Sequence, residues 1–196
     1  HDQLGHITNL SRIEEDRYVW LDKFTIRNLE LFHSPFEGAR TFIDVIDKTI
    51  SPMGGRLLKR WVSLPLKDIQ PVNDRLDVVQ YLVENEGFRD ETAGHIRLIG
   101  DLERLISKVA VNRINPREVV QLKRALEEIV HLQKSCTESA CLPLVKIAEQ
   151  LNPCRTIAEK IARELNNDPP VMVNRGNAIA KGVSHELDEL RTILYS

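Results

Sequence analysis

The chain predicts a mostly α-helical fold, an elongated multi-helix bundle with one small β-hairpin, on three observations. Aliphatic residues recur at helical spacing in segment after segment. Helix-start signals, Ser51-Pro52 and Asn115-Pro116 with Glu118 behind it, stand directly ahead of those segments. Aromatic residues make up 5% of the chain within a hydrophobic total of 42%, a composition that suits aliphatic helix seams better than an aromatic-rich sandwich.

At 196 residues the chain is long enough to bury a real core as one domain or one large piece of an elongated protein. A net charge of −2 excludes nucleic-acid binding through bulk positive charge, although local patches survive the averaging. Three cysteines, no secretory apolar region and no bilayer-spanning run point to a reducing, cytoplasmic setting without a membrane. The first residue is His1, so the chain is expected to be a piece of a larger protein.

Residues 1–17 carry a weak period-three pattern of Leu4, Ile7, Leu10 and Ile13, read as helical turns or a linker. Tyr18 to Leu21 form a short apolar run, a strand or buried connector. Asp22 can cap a short helix over Lys23 to Phe32, with a strand as the alternative, and Ser34-Pro35 and Gly38 end it. Phe42, Ile43, Val45, Ile46 and Ile50 predict a helix from about Arg40 to Thr49. Ser51 and Pro52 then supply an N-cap and a first-turn proline for a helix whose inner side is Leu57, Leu58, Trp61 and Val62. Arg56, Lys59 and Arg60 lie outside it, and Pro65 and Pro71 bracket a turn.

The next helix spans roughly Val72 to Asn85, with Val72, Leu76, Val79 and Val83 as its stripe and Gly87 as its stop. Another runs through Leu98, Leu102, Leu105 and Val109. Asn115, Pro116 and Glu118 form a capping box that opens the longest periodic segment, seamed by Val119, Leu122, Leu126 and Ile129. Lys123/Glu127 and Arg124/Glu128 are placed to pair outside that seam. Shorter helices follow at Leu144 to Leu151 and Ile157 to Leu165, and Asp168-Pro169-Pro170 stops the run. Val171 to Val173 and Ala178 to Ala180, joined through Gly176, predict the hairpin. Ser184 caps a last helix whose stripe, Leu187, Leu190, Ile193 and Leu194, is still running at the chain end.

No Gly-rich phosphate cradle of either common type is present, so ATP binding is not expected in this piece. The Gly54-Gly55 pair reads as close-packed helix entry rather than a phosphate site. His131, Cys136, Cys141 and Cys154 lack the short hook of a zinc set, and no catalytic constellation can be assembled from linear spacing. Catalytic, cofactor and metal residues are therefore expected to be absent. Two basic groups, Arg56/Lys59/Arg60 and Arg104/Lys108/Arg113/Arg117, are either solvated helix faces or contacts for DNA phosphates or neighbouring domains. Pro52, Gly54, Gly55, Pro65 and Pro71 are expected to mark joints where helices change direction.

Several strings in order resemble the core domain of the MutS family of DNA mismatch-repair proteins. They are Leu21-Asp22 with Thr25 and Arg27-Asn28-Leu29-Glu30-Leu31, then Gly55-Arg56-Leu57-Leu58 with Trp61, Pro65-Leu66 and Arg75-Leu76-Asp77. Asp101-Leu102-Glu103-Arg104-Leu105, Arg113 with Pro116-Arg117, and Glu186 to Arg191 follow. The resemblance runs from about Tyr18 to the end. It implies a core domain and first lever helix over 23–196, ending before a DNA-gripping clamp, with 1–22 as a connector from a preceding domain. It further implies a role coupling ATPase state to mismatched-DNA binding within a parent that is a homodimeric ATPase. That parent would use ATP and magnesium and act with its other domains, mismatched duplex DNA and a downstream repair factor. A helical protein-interaction adaptor is the alternative from the residues alone. A helical-bundle metal enzyme would need paired Glu-x-x-His sets on facing helices, which the linear scan does not assemble.

Overall fold

The computed structural model of the chain describes residues 15–195, so the pattern of Leu4 to Ile13 lies outside the described residues. A 3-10 turn at Glu15–Arg17 leads to α1 (Lys23–Asn28), α2 (Phe42–Ile46), α3 (Pro52–Ser63), α4 (Ile69–Glu84) and α5 (Glu86–Ile99). Then come α6 (Leu102–Ala110), α7 (Pro116–Thr137), α8 (Leu142–Gln150) and α9 (Arg155–Glu164), a 3-10 turn at Val173–Arg175, and α10 (His185–Tyr195).

The axis is α7, and its start is set locally. Asn115 Oδ1 accepts the Glu118 amide at 3.0 Å while Glu118 Oε2 accepts the Asn115 amide at 3.1 Å, so the expected capping box forms and satisfies two orphan donors. From there Val120, Ala125, Leu126, Ile129 and Cys136 are buried, and the helix packs against α5, α8 and α9, with α6 beside its first half. Two apolar clusters share it. One joins Ile99, Ala125, Leu126, Ile129 and Ala158, with Met53 of α3 laid against them. The other joins Cys136, Cys141, Leu144 and Ala148, with Val78, Tyr81 and Phe88 brought in by α4 and α5.

Several boundaries differ from expectation. The helix foreseen through Leu98 and Val109 is two helices, because Gly100 takes φ +66°, a conformation costly for other residues, and Asp101 then accepts the Arg104 amide at 3.2 Å to start α6. Gly87 lies inside α5; the stop is Asn85, whose side-chain amide donates to the Tyr81 carbonyl at 2.9 Å. The segment read as 40–49 keeps one helical turn. Its capping box of Thr41 and Asp44 starts α2, but Asp47 turns outward to accept from the amide and hydroxyl of Thr49 and ends it. α1 likewise stops at Asn28, capped by Asp22 accepting the Thr25 amide at 2.6 Å.

The small β-hairpin does not form, and the described residues contain no extended strand pairing beyond isolated bridges. Val171 to Val173 lead into a 3-10 turn, while Ile179 pairs with Leu165 instead. The Asn166 amide donates to Ala178 O at 3.0 Å and the Ala180 amide to Glu164 O at 2.9 Å, so the end of α9 satisfies the groups a hairpin partner would have used. The Tyr18 to Leu21 run is not buried: Tyr18 bridges Leu66 in antiparallel fashion, but Trp20 is 64% exposed.

The stripe expected to face inward on α4 faces out. Leu76, Val79 and Val83 are exposed, and the helix turns Val78 and Tyr81 to the core instead. Of the α10 stripe Leu187 is half-buried, whereas Leu190, Ile193 and Leu194 are exposed. Apolar surface is thus left open on the outer faces of α4 and α10.

Candidate functional site

The region around α3 gathers most of the residues singled out from sequence. Ser51 Oγ accepts the Gly54 amide at 3.1 Å, and Pro52 occupies the first helical position, where its missing donor costs nothing. The loop before the helix folds back onto this first turn. A Cβ built on Gly54 would stand 3.1 Å from Ser51 Oγ and 3.4 Å from Thr49 Cβ, and one on Gly55 would stand 3.3 Å from Thr49 Oγ1. The glycine pair therefore lies where the Ser51, Thr49 and Asp47 side chains leave little room for a Cβ.

One turn on, Arg56 reaches from α3 to the start of α6. Its Nη2 and Nη1 donate to the two Asp101 carboxylate oxygens at 2.6 and 3.2 Å, and its Nε donates to Glu103 Oε2 at 2.6 Å. These hydrogen bonds, Asp101 first, raise the affinity of the guanidinium for its proton, and Arg56 in turn holds the Asp101 carboxyl below the ordinary value. Asp101 is thus both helix cap and ion-pair acceptor.

At its other end α3 is fixed by stacking. The Arg75 guanidinium of α4 lies 3.6 Å from the centroid of the Trp61 ring, a cation–π contact, and burial lowers the Arg75 pKa. Pro65, between the two helices, offers its carbonyl to the Val19 amide at 2.7 Å, and the Lys67 amide donates to Arg17 O at 3.1 Å. The entering chain is therefore hydrogen-bonded to the α3–α4 joint. Pro71 does not bracket that turn. It sits inside the first turn of α4, which begins at Ile69, where a proline removes no intrahelical bond.

The second basic group is dispersed by its partners. Lys108 of α6 pairs with Glu118 of α7, and this bond, followed by the Asn115 amide, keeps the Glu118 carboxyl low. Arg117 donates from Nε to the Pro169 carbonyl at 2.9 Å and stands 3.8 Å from Asp168, tying the loop after α9 onto α7. Arg104 gives its backbone amide to the Asp101 cap, and its side chain is exposed. Arg113 is exposed in the turn before α7 and Lys59 and Arg60 on the outer side of α3. Arg56, Lys108 and Arg117 thus bind within the chain, whereas the side chains of Lys59, Arg60, Arg104 and Arg113 face solvent.

The thiols sit apart from this region. Cys136 and Cys141 are buried together, burial pushing the Cys136 thiol up, and Cys154 precedes α9 with φ +45°. His131 stacks on His95 with ring centroids 5.3 Å apart, and His95 Nδ1 lies 2.6 Å from Glu128 Oε2. Glu128, expected to pair with Arg124, is thereby taken by α5, while Lys123 and Glu127 approach to 3.7 Å as expected. Among the described residues no three His, Cys, Asp or Glu side chains converge as metal ligands, and no helix is long and apolar enough to cross a membrane.

Sequence reasoning missed Asp101, Glu103 and Arg75 as the partners that hold α3. Asp101 carried a signal, an N-cap residue directly after a glycine and before an aliphatic periodic run. Arg75 carried none, since nothing local says that it stacks on Trp61.

Comparison with known proteins places the chain among relatives along its whole length. Residues 24–195 match the family described as MutS domain III. A protein of Phocaeicola vulgatus called DNA mismatch repair protein MutS is 59% identical over 196 residues, which is 100% of this chain and 22% of that protein. Proteins of the same description from Bacteroides thetaiotaomicron and Cytophaga hutchinsonii are 56% and 49% identical over 196 residues, all of this chain and 23% of each relative. The chain spans between a fifth and a quarter of the length of the curated relatives it matches.

Proposed function

The chain belongs to the MutS domain III family, and from that premise we propose that it is the core and first lever helix of a DNA mismatch repair protein. In this reading residues 23–196 couple the ATPase state of a longer, dimeric parent to its grip on mismatched duplex DNA, and residues 1–22 connect them to a preceding domain. ATP, magnesium and a downstream repair factor engage other parts of that parent, which works in the cytoplasm. The observation that supports this most is 59% identity over every residue of the chain to a protein described as a mismatch repair protein. An adaptor of unrelated function is not favoured by that match.

The geometry fits a part that transmits displacement. A long capped helix runs through two apolar clusters, and α3 is attached to them by few, specific links: Met53, the Arg56–Asp101 pair and the Trp61–Arg75 stack. Packed helices joined in this way move as units rather than deforming continuously. In the proposed role Pro52, Gly54, Gly55, Pro65 and Pro71 set the direction of the chain through this joint. Lys59, Arg60, Arg104 and Arg113 are the candidates for contact with DNA phosphate or another domain.

The test is a replacement. The matching segment of the Bacteroides thetaiotaomicron protein is exchanged for this chain, and the chimera is returned to a strain lacking its own copy. A mutation frequency near that of the parent strain is expected; a mutator phenotype at normal chimera abundance overturns the proposal.

A further inference from the structure

A pocket that takes no part in the joint or the basic groups lies between α1 and the loop that follows it. Its apolar wall is Ile26, Phe32 and Pro35, and Lys23, Arg27 and His33 stand around it. The pocket encloses about 380 Å³ and is open to solvent, a size within the span of ligand pockets, about 300–1,000 Å³. No acidic residue lines it. Among the described residues Lys23, Arg27 and His33 have no ion-pair partner, unlike Arg56, Lys108, Arg117 and Arg191, each of which is paired with a carboxylate. Next to it in sequence Phe24 and Phe36 are 76% and 70% exposed. Neither ring lines the pocket, and both add exposed apolar surface to the same stretch of chain.

We propose that this pocket docks an acidic peptide segment that inserts one large apolar side chain between Ile26, Phe32 and Pro35. The cations at the mouth select the charge of the incoming chain, and the apolar wall selects its anchor. This division of labour, an apolar anchor in a pocket with charge at the rim, is how many peptide sites obtain both affinity and register. A duplex meets the cations with phosphate alone and keeps its bases stacked inside, so a peptide with an apolar side chain is the better match to the wall. The inference does not depend on the role proposed above.

The test uses the whole 196-residue chain and fluorescence anisotropy. The probe is a labelled synthetic peptide with a central Phe flanked on both sides by Glu. One control peptide carries Ser in place of the Phe, another Lys in place of the Glu residues, and a labelled DNA duplex is a separate arm. The Phe/Glu peptide is expected to bind and both peptide controls to bind at least tenfold more weakly. Reversing the two exposed cations, Lys23→Glu with Arg27→Glu, should weaken the Phe/Glu peptide by about tenfold, and raising NaCl from about 50 mM to about 500 mM should weaken it several-fold. Lys160→Glu on α9 should leave it unchanged. Circular dichroism of the Lys23/Arg27 variant separates lost charge from lost fold, and Ile26→Ser probes the wall independently. No measurable binding of the Phe/Glu peptide, equal binding of the Ser control, or duplex binding that depends on Lys23 and Arg27 while the peptide does not bind overturns the proposal.

Discussion

Asp101 holds two helices with one carboxylate: both oxygens take the Arg56 guanidinium of α3, at 2.6 and 3.2 Å, while Oδ1 also accepts the amide of Arg104 and so begins α6. The two tasks can be separated by substitution. Asp101→Asn keeps a good cap and loses the charge, and Asp101→Ala loses both. The expected order of urea midpoints is wild type, then Asn, then Ala, and an Asn variant as unstable as Ala would show that the pair rather than the cap is what matters.

The same carboxylate sets an acid dependence. Because Arg56 and the Arg104 amide hold Asp101 below its ordinary value of 3.8, the unfolded chain binds a proton here before the folded chain does. The contribution is therefore complete above the unfolded value and is lost as pH falls through the lower, folded value. Asp22, Asp44, Asp47, Glu118 and Asp188 are shifted in the same direction, by Thr25, Thr41, Thr49, Lys108 and Gly182 respectively as the leading hydrogen-bond donors. Stability measured by chemical denaturation should be level near neutrality and fall below about pH 4. In Asp101→Asn the fall should be shallower; an identical slope would count against the pair.

Two helical glycines should respond oppositely to alanine. Gly94 in α5 has no atom within 4 Å of a built Cβ, so Gly94→Ala should stabilise by up to about 1 kcal/mol through helix propensity. Gly54 would bring its Cβ to 3.1 Å from Ser51 Oγ, the atom that caps the helix. Gly54→Ala should gain nothing or lose stability. Equal gains at both positions in thermal unfolding would refute the close-approach reading.

At the α5–α6 break the strain is in the backbone. Gly100 has φ +66° and ψ −135°, yet its built Cβ meets only Gln121 Nε2 at 3.8 Å. Gly100→Ala should therefore cost about 1–3 kcal/mol without any clash. Urea unfolding checks it; an unchanged midpoint would mean that α5 and α6 can run on as one helix.

In the core, Ala125 is fully buried and Leu126 is 7% exposed. Leu126→Ala should cost about 2–5 kcal/mol, and Ala125→Leu about 1–3 kcal/mol by overpacking. Both are read from denaturant midpoints with the slope unchanged.

The parts of this fold that were legible in the sequence are those whose causes are local. α7 announces itself because Asn115, Pro116 and Glu118 stand in consecutive reach and a long aliphatic seam follows. The division at Gly100 was hidden because Leu98, Leu102, Leu105 and Val109 keep helical phase across it, so periodicity outvoted a single glycine. On α4 periodicity identified the helix but could not choose between two apolar faces, one of which meets α5 and α8 while the other meets none of them. The hairpin failed for a related reason: Ile179 could pair with either neighbour, and only the placement of α9 decides for Leu165. Among the basic residues charge alone could not tell Arg56, whose acceptors lie 45 and 47 residues along the chain, from Arg60, which faces solvent.

The pairing of Tyr18 with Leu66 has a kinetic meaning. α8 and α9 follow α7 in sequence and each packs on it, so their assembly closes only short loops. The strand-like entry can pair with the α3–α4 joint only after α1, α2 and α3 have been looped back, which carries the larger closure entropy. In refolding, the bundle around α7 should gain its amide protection first and the Val19 amide last. The first stretch of described chain that emerges in synthesis is then the last to be locked.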